Sequence, residues 1–206
     1  IECAGEVDAL ITEARLIKQK QPSLNRRLRR KQALFSWHLV RNEQGFAVLE
    51  LVDALAIRLD GAEQYFGLWH SRSEAKKQLK AWVESSTLCG QILGVETGAA
   101  GQPCFRRQIK QCAGACVGAV SAEAHHAELL SVVRPQAIAT WPVAGVAVMV
   151  EGNKWHVLDD WRYLGTVTDL DAVATVLAQQ RPALDKDIYQ ILYKHRALLH
   201  PLSKVM

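Results

Sequence analysis

The sequence Pro103-Cys-Phe-Arg-Arg-Gln-Ile-Lys-Gln-Cys-Ala-Gly-Ala-Cys-Val-Gly118, together with Cys89 upstream, holds four of the five cysteines of the chain. Fourteen residues separate Cys89 from Cys104, seven separate Cys104 from Cys112, and three separate Cys112 from Cys116. Four converging thiolates suit a tetrahedral zinc ion or an iron–sulfur cluster, because these metals prefer sulfur ligands. In Cys112-Ala-Gly-Ala-Cys116, small residues let backbone N–H groups approach a sulfur. The spacing predicts a metal site, with buried structural cysteines or disulfides as the alternative.

Composition sets the limits around this cluster. The chain has 206 residues, is 49% hydrophobic and 22% charged, and carries a formal net charge of +4, as is usual for globular proteins. No run approaches the roughly 18 apolar residues of a membrane helix, and the N-terminus lacks the order of a signal peptide. We therefore expect a cytoplasmic protein without a membrane partner. In a reducing compartment a cysteine cluster indicates metal binding rather than disulfide bonds. The odd number of cysteines, which leaves Cys3 outside the cluster, agrees with this interpretation.

The N-terminal residues predict a helix over 6–20, with acidic residues in its first turn and lysines in its last. Glu13 lies at the edge of the apolar stripe of this helix. A carboxylate there can bind a hard cation such as Mg²⁺, although an edge glutamate in a helix is usually solvated or salt-bridged. The chain opens Ile-Glu-Cys-Ala-Gly-Glu without an initiator Met, and we interpret this opening as a strand end running into the helix. The expectation is a fragment that lacks an upstream part.

The densest positive charge of the chain is Asn-Arg-Arg-Leu-Arg-Arg-Lys, residues 25–31. Closely spaced guanidinium groups suit phosphate oxygens, which they can bind in bidentate fashion. This segment is therefore a candidate DNA contact. A merely solvated basic turn is the alternative.

The middle of the chain predicts a hairpin, from residues 34–41 and 46–52 around 42–45. Residues 64–69 predict a compact aromatic turn whose rings either stack on bases or, more often for such clusters, pack in a core. Ser73 is the predicted cap of a helix that leads to Cys89, and Ser121 caps a helix to about Val133. In that second helix we interpret His125 and His126 as surface residues.

Pro135 and Pro142 bracket the segment that is the best candidate for a domain boundary in this chain. Beyond it, residues 145–150, 155–159 and 161–166 predict a three-stranded meander, followed by helices near 169–180 and 185–199. Asp159, Asp160, Asp185 and Asp187 could bind a metal, but turn and cap positions explain them more simply. No phosphate-binding loop or nucleophile elbow is present in the sequence. These elements together predict an α+β fold.

Two stretches resemble one family. Residues 4–25, Ala-Gly-Glu-Val-Asp-Ala-Leu-Ile-Thr-Glu-Ala-Arg-Leu-Ile-Lys-Gln-Lys-Gln-Pro-Ser-Leu-Asn, are similar to the last helix and closing turn of a UvrC-type GIY-YIG nuclease domain. Residues 104–118 resemble the cysteine region that follows that domain in UvrC and in the shorter Cho branch. The match is closer to Cho, as further Cho-like pieces follow in order: residues 25–30, Tyr-Phe-Gly-Leu-Trp at 65–69, Trp155, Trp161, Leu164-Gly165 and residues 185–192.

The resemblance implies roles for single residues. Glu13 falls on the metal-binding glutamate that holds Mg²⁺ or Mn²⁺ against the scissile phosphate, and Asn25 falls on the asparagine of the closing turn, where Leu24 replaces the usual aromatic. Cys89, Cys104, Cys112 and Cys116 fall on positions associated with a 4Fe-4S cluster, with Zn²⁺ as the alternative metal. The tyrosine pair, arginine and lysine of the incision chemistry belong upstream. Candidate DNA contacts are Lys18, Asn25, Arg26, Arg27, Arg29 and Arg30.

The resemblance also implies the domains and the activity. We expect the C-terminal strand and helix of a GIY-YIG domain in 1–31, a hairpin with a cysteine-rich cluster domain in 32–134, and a small α+β domain in 135–206. The intact protein should nick the damaged strand of double-stranded DNA in nucleotide excision repair, in partnership with a UvrA/UvrB-type damage-recognition complex. The 206 residues alone should bind DNA weakly and cut nothing.

Two other interpretations stay open. One is a non-catalytic nucleic-acid-binding module built on a zinc site. The other is the C-terminal part of a protein in which an exonuclease domain precedes the GIY-YIG domain. Metal analysis and the upstream sequence would separate them.

Overall fold

The computed structural model describes residues 2–20, 33–99, 101–169 and 171–204. The chain divides into two compact units. The cysteine unit is Phe35–Asp53 with Glu63–Ile138, and the terminal unit is Ile1–Leu34 with Ala54–Ala62 and Ala139–Met206. Both units mix helices and antiparallel strands, which agrees with the predicted α+β class. None of the described helices is both long and apolar enough to cross a bilayer.

The cysteine unit contains a three-stranded antiparallel sheet in the order β2-β1-β3. Strands β1 (Phe35–Arg41) and β2 (Ala47–Asp53) form the predicted hairpin. Its turn is closed by Asn42, whose side-chain oxygen accepts hydrogen bonds from the backbone N–H groups of Gln44 (3.1 Å) and Phe46 (2.9 Å). The hairpin prediction is confirmed, and the short polar side chain of Asn42 explains the turn.

The third strand corrects the sequence interpretation. Residues predicted as a compact aromatic turn form strand β3 (Tyr65–Trp69), which pairs with β1. Gly67 has φ +67°, and a Cβ there would lie 1.9 Å from the Trp69 ring, so only glycine fits. Tyr65, Phe66 and Trp69 are buried, and these rings are therefore core residues with no face free for a base.

Three helices complete the cysteine unit: α2 (Arg72–Glu84), α3 (Phe105–Gln108) and α4 (Ala122–Val133). Ser71, not Ser73, caps α2, because its side chain accepts a hydrogen bond from the backbone N–H of Glu74 at 3.1 Å. Ser121 caps α4 as predicted, accepting from Ala124 at 3.2 Å. Short 3-10 turns follow at Ala115–Val117 and Arg134–Gln136.

The core of the cysteine unit joins the sheet to α2 and α4. Trp37 and Phe66 of the sheet belong to one buried cluster with Trp82 of α2 and Leu129 of α4. Trp69 meets Trp82 edge-on, with ring centroids 5.8 Å apart. Each large side chain buried in this way contributes roughly 1.5–3 kcal/mol. This core fixes the frame on which the cysteines are held.

In its described residues, the terminal unit contains a four-stranded sheet in the order β6-β5-β4-β7, with three helices. The predicted meander is confirmed as β4 (Ala147–Glu151), β5 (Lys154–Asp159) and β6 (Arg162–Val167), and β7 (His200–Pro201) adds to β4. The helices are α1 (Glu6–Lys20), α5 (Asp171–Leu177) and α6 (Lys186–Lys194). Further 3-10 turns lie at Arg196–Leu198 and Leu202–Lys204.

A buried ion pair fastens residues 54–62 to the meander. Asp160 and Trp161 form the β5–β6 turn with positive φ angles of 49° and 60°. Asp160 pairs with Arg162 and also accepts the backbone N–H of Leu59 at 2.7 Å, while Arg162 donates to the carbonyl of Ile57 at 2.7 Å. Burial raises the pKa of Asp160, although Arg162 opposes the shift. The prediction that Asp160 serves only a turn was incomplete, because its carboxylate also pairs with Arg162 and accepts a hydrogen bond from Leu59.

Helix α1 is held to the rest of the terminal unit at both ends. At its N-terminus, the carboxylate of Glu151 accepts the backbone N–H groups of Val7 (3.1 Å) and Asp8 (2.7 Å). A carboxylate at a helix N-terminus is favoured by the helix dipole. At the other end, Lys18 pairs with Asp185, which also caps α6. The helix predicted over 6–20 and the capping role of Asp185 are both confirmed.

Candidate metal centre

The four cysteines singled out in the sequence meet at one place in the cysteine unit. Their Sγ atoms all lie within 4.8 Å of one another. Cys89, Cys104 and Cys112 are buried, and Cys116 is half-buried. Cys89 lies in the loop after α2, Cys104 precedes α3, and the other two flank the short elbow that ends in a 3-10 turn. Residues distant in sequence thus form one thiol-rich pocket.

The elbow owes its shape to glycine. Gly114 has φ +96°, and a Cβ there would lie 2.9 Å from Nε of Arg107. The backbone N–H of Gly114 donates a hydrogen bond to Sγ of Cys112 at 3.3 Å. The small residues of the elbow therefore allow an N–H group to reach a sulfur, as the sequence predicted. Such a contact stabilises negative charge on a thiolate ligand.

A buried arginine ties the ligand segments together. The guanidinium group of Arg106 donates to the backbone carbonyls of Ser86 and Gln111, each at 2.8 Å. The backbone N–H of Ala113 donates to the carbonyl of Thr87 at 3.0 Å. These bonds join the loop before Cys89 to the elbow. The thiols are therefore brought together by hydrogen bonds that do not involve a metal.

His125 lies beside the thiols, and its assignment to the surface was wrong. Its side chain is 2% exposed, its ring meets Phe46 edge-on, and its Nε2 accepts the backbone N–H of Cys89 at 3.4 Å. Burial is the main cause that lowers the pKa of His125, so the ring is neutral at pH 7. The spacing of His125, Leu129 and Val133 at four-residue intervals is the sequence signal that could have placed it on the buried face.

The electrostatics of the thiol pocket oppose four thiolates. Burial raises the pKa of Cys89 to about 11 and raises the pKa of Cys104 further. Burial also acts against ionisation of Cys116, but hydrogen bonds from the backbone and from the thiols of Cys89 and Cys104 outweigh it and lower its pKa. A bound cation reverses such penalties, because it neutralises the thiolates that the pocket otherwise disfavours.

The donor set fits a metal. Zinc–sulfur bonds of about 2.3 Å in a tetrahedron place the sulfurs about 3.8 Å apart, which is compatible with thiols within 4.8 Å of one another. A cluster of four irons and four sulfides spreads its thiolate ligands more widely, so it would need the pocket to widen. Four protein sulfurs leave no open position on a single tetrahedral ion. Such a closed site is structural and does not bind substrate.

The other predicted site residues lie elsewhere. Glu13 is exposed on α1, and among the described residues only the four cysteines form a group of three or more ligands within reach of one metal. Lys18 donates to Asp185 at 2.6 Å and pairs with Asp187 at 2.8 Å. Its charge is thus engaged within the terminal unit. The predicted DNA contacts at Asn25 and at Arg26, Arg27, Arg29 and Arg30 fall outside the described residues.

These two carboxylates also set the protonation of Lys18. Burial tends to lower the pKa of Lys18, but its hydrogen bonds to Asp185 and Asp187 outweigh burial and raise the pKa. The lysine is therefore charged at pH 7. A DNA contact by Lys18 stays a prediction.

Comparison with family models gives two matches. Residues 35–135 match the model described as the UvrC/Cho excinuclease middle domain, and residues 147–204 match the Excinuclease Cho C-terminal domain. The first match contains all four cysteines of the candidate centre. The second contains the meander and α6.

Comparison with individual proteins agrees. The chain is 35% identical to Excinuclease cho of Salmonella typhi and 36% identical to that of Escherichia coli K12, in each case over 195 residues that cover 93% of the chain. The chain spans 64% of the length of these relatives. It is also 39% identical over 117 residues to UvrABC system protein C of Citrifermentans bemidjiense, covering 57% of the chain and 18% of that relative. No solved structure matches the chain.

Proposed function

Since this chain belongs to the UvrC/Cho excinuclease family, we propose that the whole protein is a DNA-repair endonuclease that incises the damaged strand of double-stranded DNA. The reaction would be hydrolysis of a phosphodiester bond in nucleotide excision repair. A UvrA/UvrB-type complex would deliver the damaged site. The observation that carries the proposal is the similarity over 195 residues, which runs through both units and includes the cysteine centre.

The role of the cysteine centre in this function is structural. Its thiols are largely buried, and four protein ligands leave a tetrahedral ion no coordination position for water or phosphate. The metal would cross-link Cys89, Cys104, Cys112 and Cys116 and would neutralise the charge of their thiolates. The chain around it would then present a rigid surface to DNA and would not cut it.

The identity of the metal has two candidates. The resemblance of residues 104–118 to the UvrC cysteine region supports a 4Fe-4S cluster. The separation of the four Sγ atoms, within 4.8 Å, favours the second candidate, a single zinc ion. Anaerobic purification with metal analysis distinguishes them, because the cluster gives about four irons per chain and broad visible absorption, while zinc gives one ion and a colourless sample.

For the incision step we propose that Glu13 binds Mg²⁺ or Mn²⁺. Mg²⁺ is often held by one or two carboxylates together with substrate phosphates and waters, so one exposed glutamate suits it. The metal would supply Lewis-acid stabilisation of charge on the phosphate. The nucleophile-activating residues expected for this family would belong to another part of the whole protein.

The experiment is a nicking assay on a duplex with one bulky lesion, with the damage-recognition complex present. The full-length protein should cut the damaged strand with Mg²⁺ or Mn²⁺, and Glu13→Ala should abolish cutting. Glu2→Ala serves as the control on another exposed glutamate. The 206 residues alone should not cut. If those residues alone nick the DNA and Glu13→Ala abolishes the nicking, the proposal that they need the rest of the protein for incision is wrong.

A further inference from the structure

An aromatic ring projects from the protein beside the cysteine centre. Phe105 directly follows Cys104 and is 66% exposed, and its neighbour Ile109 is 45% exposed. Phenylalanine is normally among the more buried residues, and a large exposed ring next to a second apolar side chain indicates a contact surface. The aromatic residues at 64–69 are buried, which agrees with the core packing that the sequence favoured over base stacking.

The same region carries more cations than acidic residues. Between Glu96 and Glu123 the sequence contains no aspartate or glutamate, but it contains Arg106, Arg107 and Lys110. Helix α2 adds further exposed cations, Lys76, Lys77 and Lys80. Lys80 lines the same groove as Phe105 and Ile109, which has a volume of about 570 Å³. Glu84 and Glu96 also line this groove, where Glu84 pairs with Lys80 and Glu96 pairs with Arg106. Lys76 and Lys77 lie one turn before Lys80 on the helix and therefore extend the basic face from the groove.

These cations are largely free to meet a ligand. Lys80 pairs with Glu84 at 3.6 Å, but both side chains are more than half exposed, and such surface pairs contribute little. Lys76, Lys77 and Lys110 form no ion pair within the described part of the chain. Arg106 is excluded from this set, because its guanidinium group is buried in the frame of the cysteine centre.

The pairing of one exposed ring with several cations favours nucleic acid over protein. Proteins bind unpaired strands by stacking bases on aromatic side chains while cations follow the phosphates. The centres of protein–protein interfaces are, by contrast, depleted in charged residues. A projecting aromatic ring, with Lys76, Lys77 and Lys110 in excess of the paired acidic residues of the groove, has the first composition.

We infer that the surface of Lys76, Lys77, Lys80, Phe105, Ile109 and Lys110 binds DNA at an unpaired site, with the phosphates on the lysines and one base stacked on Phe105. This inference rests on the proposed function and extends it. It adds a DNA contact in the cysteine unit to the one predicted at residues 25–31. The metal centre then fixes the position of Phe105, since Cys104 is the adjacent residue.

The test measures DNA binding by fluorescence anisotropy, with the metal-loaded full-length protein and without added divalent ions, so that no strand is cut. Two labelled probes of equal length are compared, a complete duplex and a duplex with a short unpaired bubble. Phe105→Ala should weaken binding to the bubble at least about five-fold and leave the complete duplex nearly unchanged, because stacking needs an unpaired base. Leu177→Ala, at another exposed apolar side chain, is the control.

The lysines are tested through salt dependence. Each phosphate contact that is lost lowers the slope of log affinity against log salt by about 0.7–0.9. The double variant Lys76→Gln with Lys77→Gln should lower that slope by about 1.4–1.8 on both probes. Lys204→Gln, an exposed lysine in the terminal unit, should leave the slope unchanged.

Metal content is measured for each variant, so that a damaged centre is not mistaken for a lost contact. Unchanged DNA binding by both the Phe105 and the lysine variants, at normal metal content, would overturn this inference and leave the proposed nuclease function standing. Failure of the wild-type protein to bind either probe would overturn both. If the Phe105 and lysine variants keep DNA binding but lose binding to an acidic protein segment, the surface is a protein contact. That result would also overturn the inference.

Discussion

The backbone N–H of Cys89 donates a hydrogen bond to Nε2 of His125 at 3.4 Å. Helix α4 contacts the same loop a second time, because Glu128 accepts the backbone N–H of Thr87 at 2.8 Å and its hydroxyl at 2.7 Å. Two contacts one turn apart thus hold the loop that carries Cys89. The position of this thiol depends on α4 as well as on the cysteine-rich segment.

We therefore predict that His125→Ala weakens metal binding. Loss of a group that orients a ligand typically lowers metal affinity about 10- to 100-fold. The measurement is metal retained per chain after dialysis against increasing chelator. A buried neutral acceptor is what the site requires, so His125→Gln should restore more of the retention than His125→Leu, which fills the space without offering an acceptor.

The matched control is His70→Ala, at an exposed histidine of the same unit. It should retain metal like the wild type. Equal retention by His125→Ala and the wild type would show that α4 does not position Cys89.

A second prediction concerns the thiols themselves. Serine at Cys89, Cys104, Cys112 or Cys116 should each remove the metal and lower the melting temperature of the cysteine unit, because metal-binding energy is folding energy in such sites. Cys3→Ser should change neither quantity, since Cys3 lies in the terminal unit. Metal analysis and thermal unfolding of the five variants are the measurements. Full metal content in any of the four would exclude that cysteine as a ligand.

The local elements of this fold were predictable because their signals are short-range. Asn42 closes the β1–β2 hairpin, and Ser121 caps α4, through bonds to residues two to four positions away. The clustering of cysteines likewise indicated a common site before the fold was known. In each case the sequence within a few residues contains the interaction.

Most of the errors came from contacts that sequence spacing does not show. Residues 64–69 were expected to form a turn, yet the Trp69 ring folds over Gly67 and residues 65–69 form a strand that pairs with β1. His125 is the exception, because its spacing with Leu129 and Val133 indicated the buried face, where the backbone N–H of Cys89 donates to it. Two carbonyls that accept hydrogen bonds from Arg162, those of Ala54 and Ile57, lie more than 100 residues away in sequence, so no local pattern indicates them.

That buried arginine gives a third prediction. Arg162→Met should destabilise the terminal unit by about 3–5 kcal/mol, because it leaves Asp160 buried with one partner fewer. Arg181, whose guanidinium lies 2.8 Å from the same carboxylate, limits the loss. Urea unfolding at pH 7 measures the effect, with Arg58→Met as the comparison on a more exposed arginine of residues 54–62. A change below about 1 kcal/mol would show that the pair does not fasten this segment.

The fourth prediction is a pH dependence at Asp8. The Asp8 side chain is 5% exposed, accepts the backbone N–H of Ala4 at 2.9 Å and pairs with Lys154 at 2.7 Å. Burial tends to raise the pKa of Asp8, but the hydrogen bonds to Lys154 and Ala4 outweigh it, and the pKa lies below the ordinary 3.8. A carboxyl group with a lowered pKa stabilises the folded state above its unfolded pKa and loses that contribution as the pH falls through the folded pKa.

Asp8→Asn should therefore lower the free energy of unfolding by about 1–3 kcal/mol at pH 7, the usual contribution of hydrogen bonds to a charged group. The difference from wild type should stay constant from pH 7 to pH 5 and shrink as the pH falls below 3.8, where the wild-type carboxyl group also becomes protonated. Urea unfolding across this range is the measurement, and Asp171→Asn, at an exposed aspartate of α5, is the control. A difference that persists undiminished at the lowest pH would mean that Asp8 acts through packing, because charge is the only contribution that protonation removes.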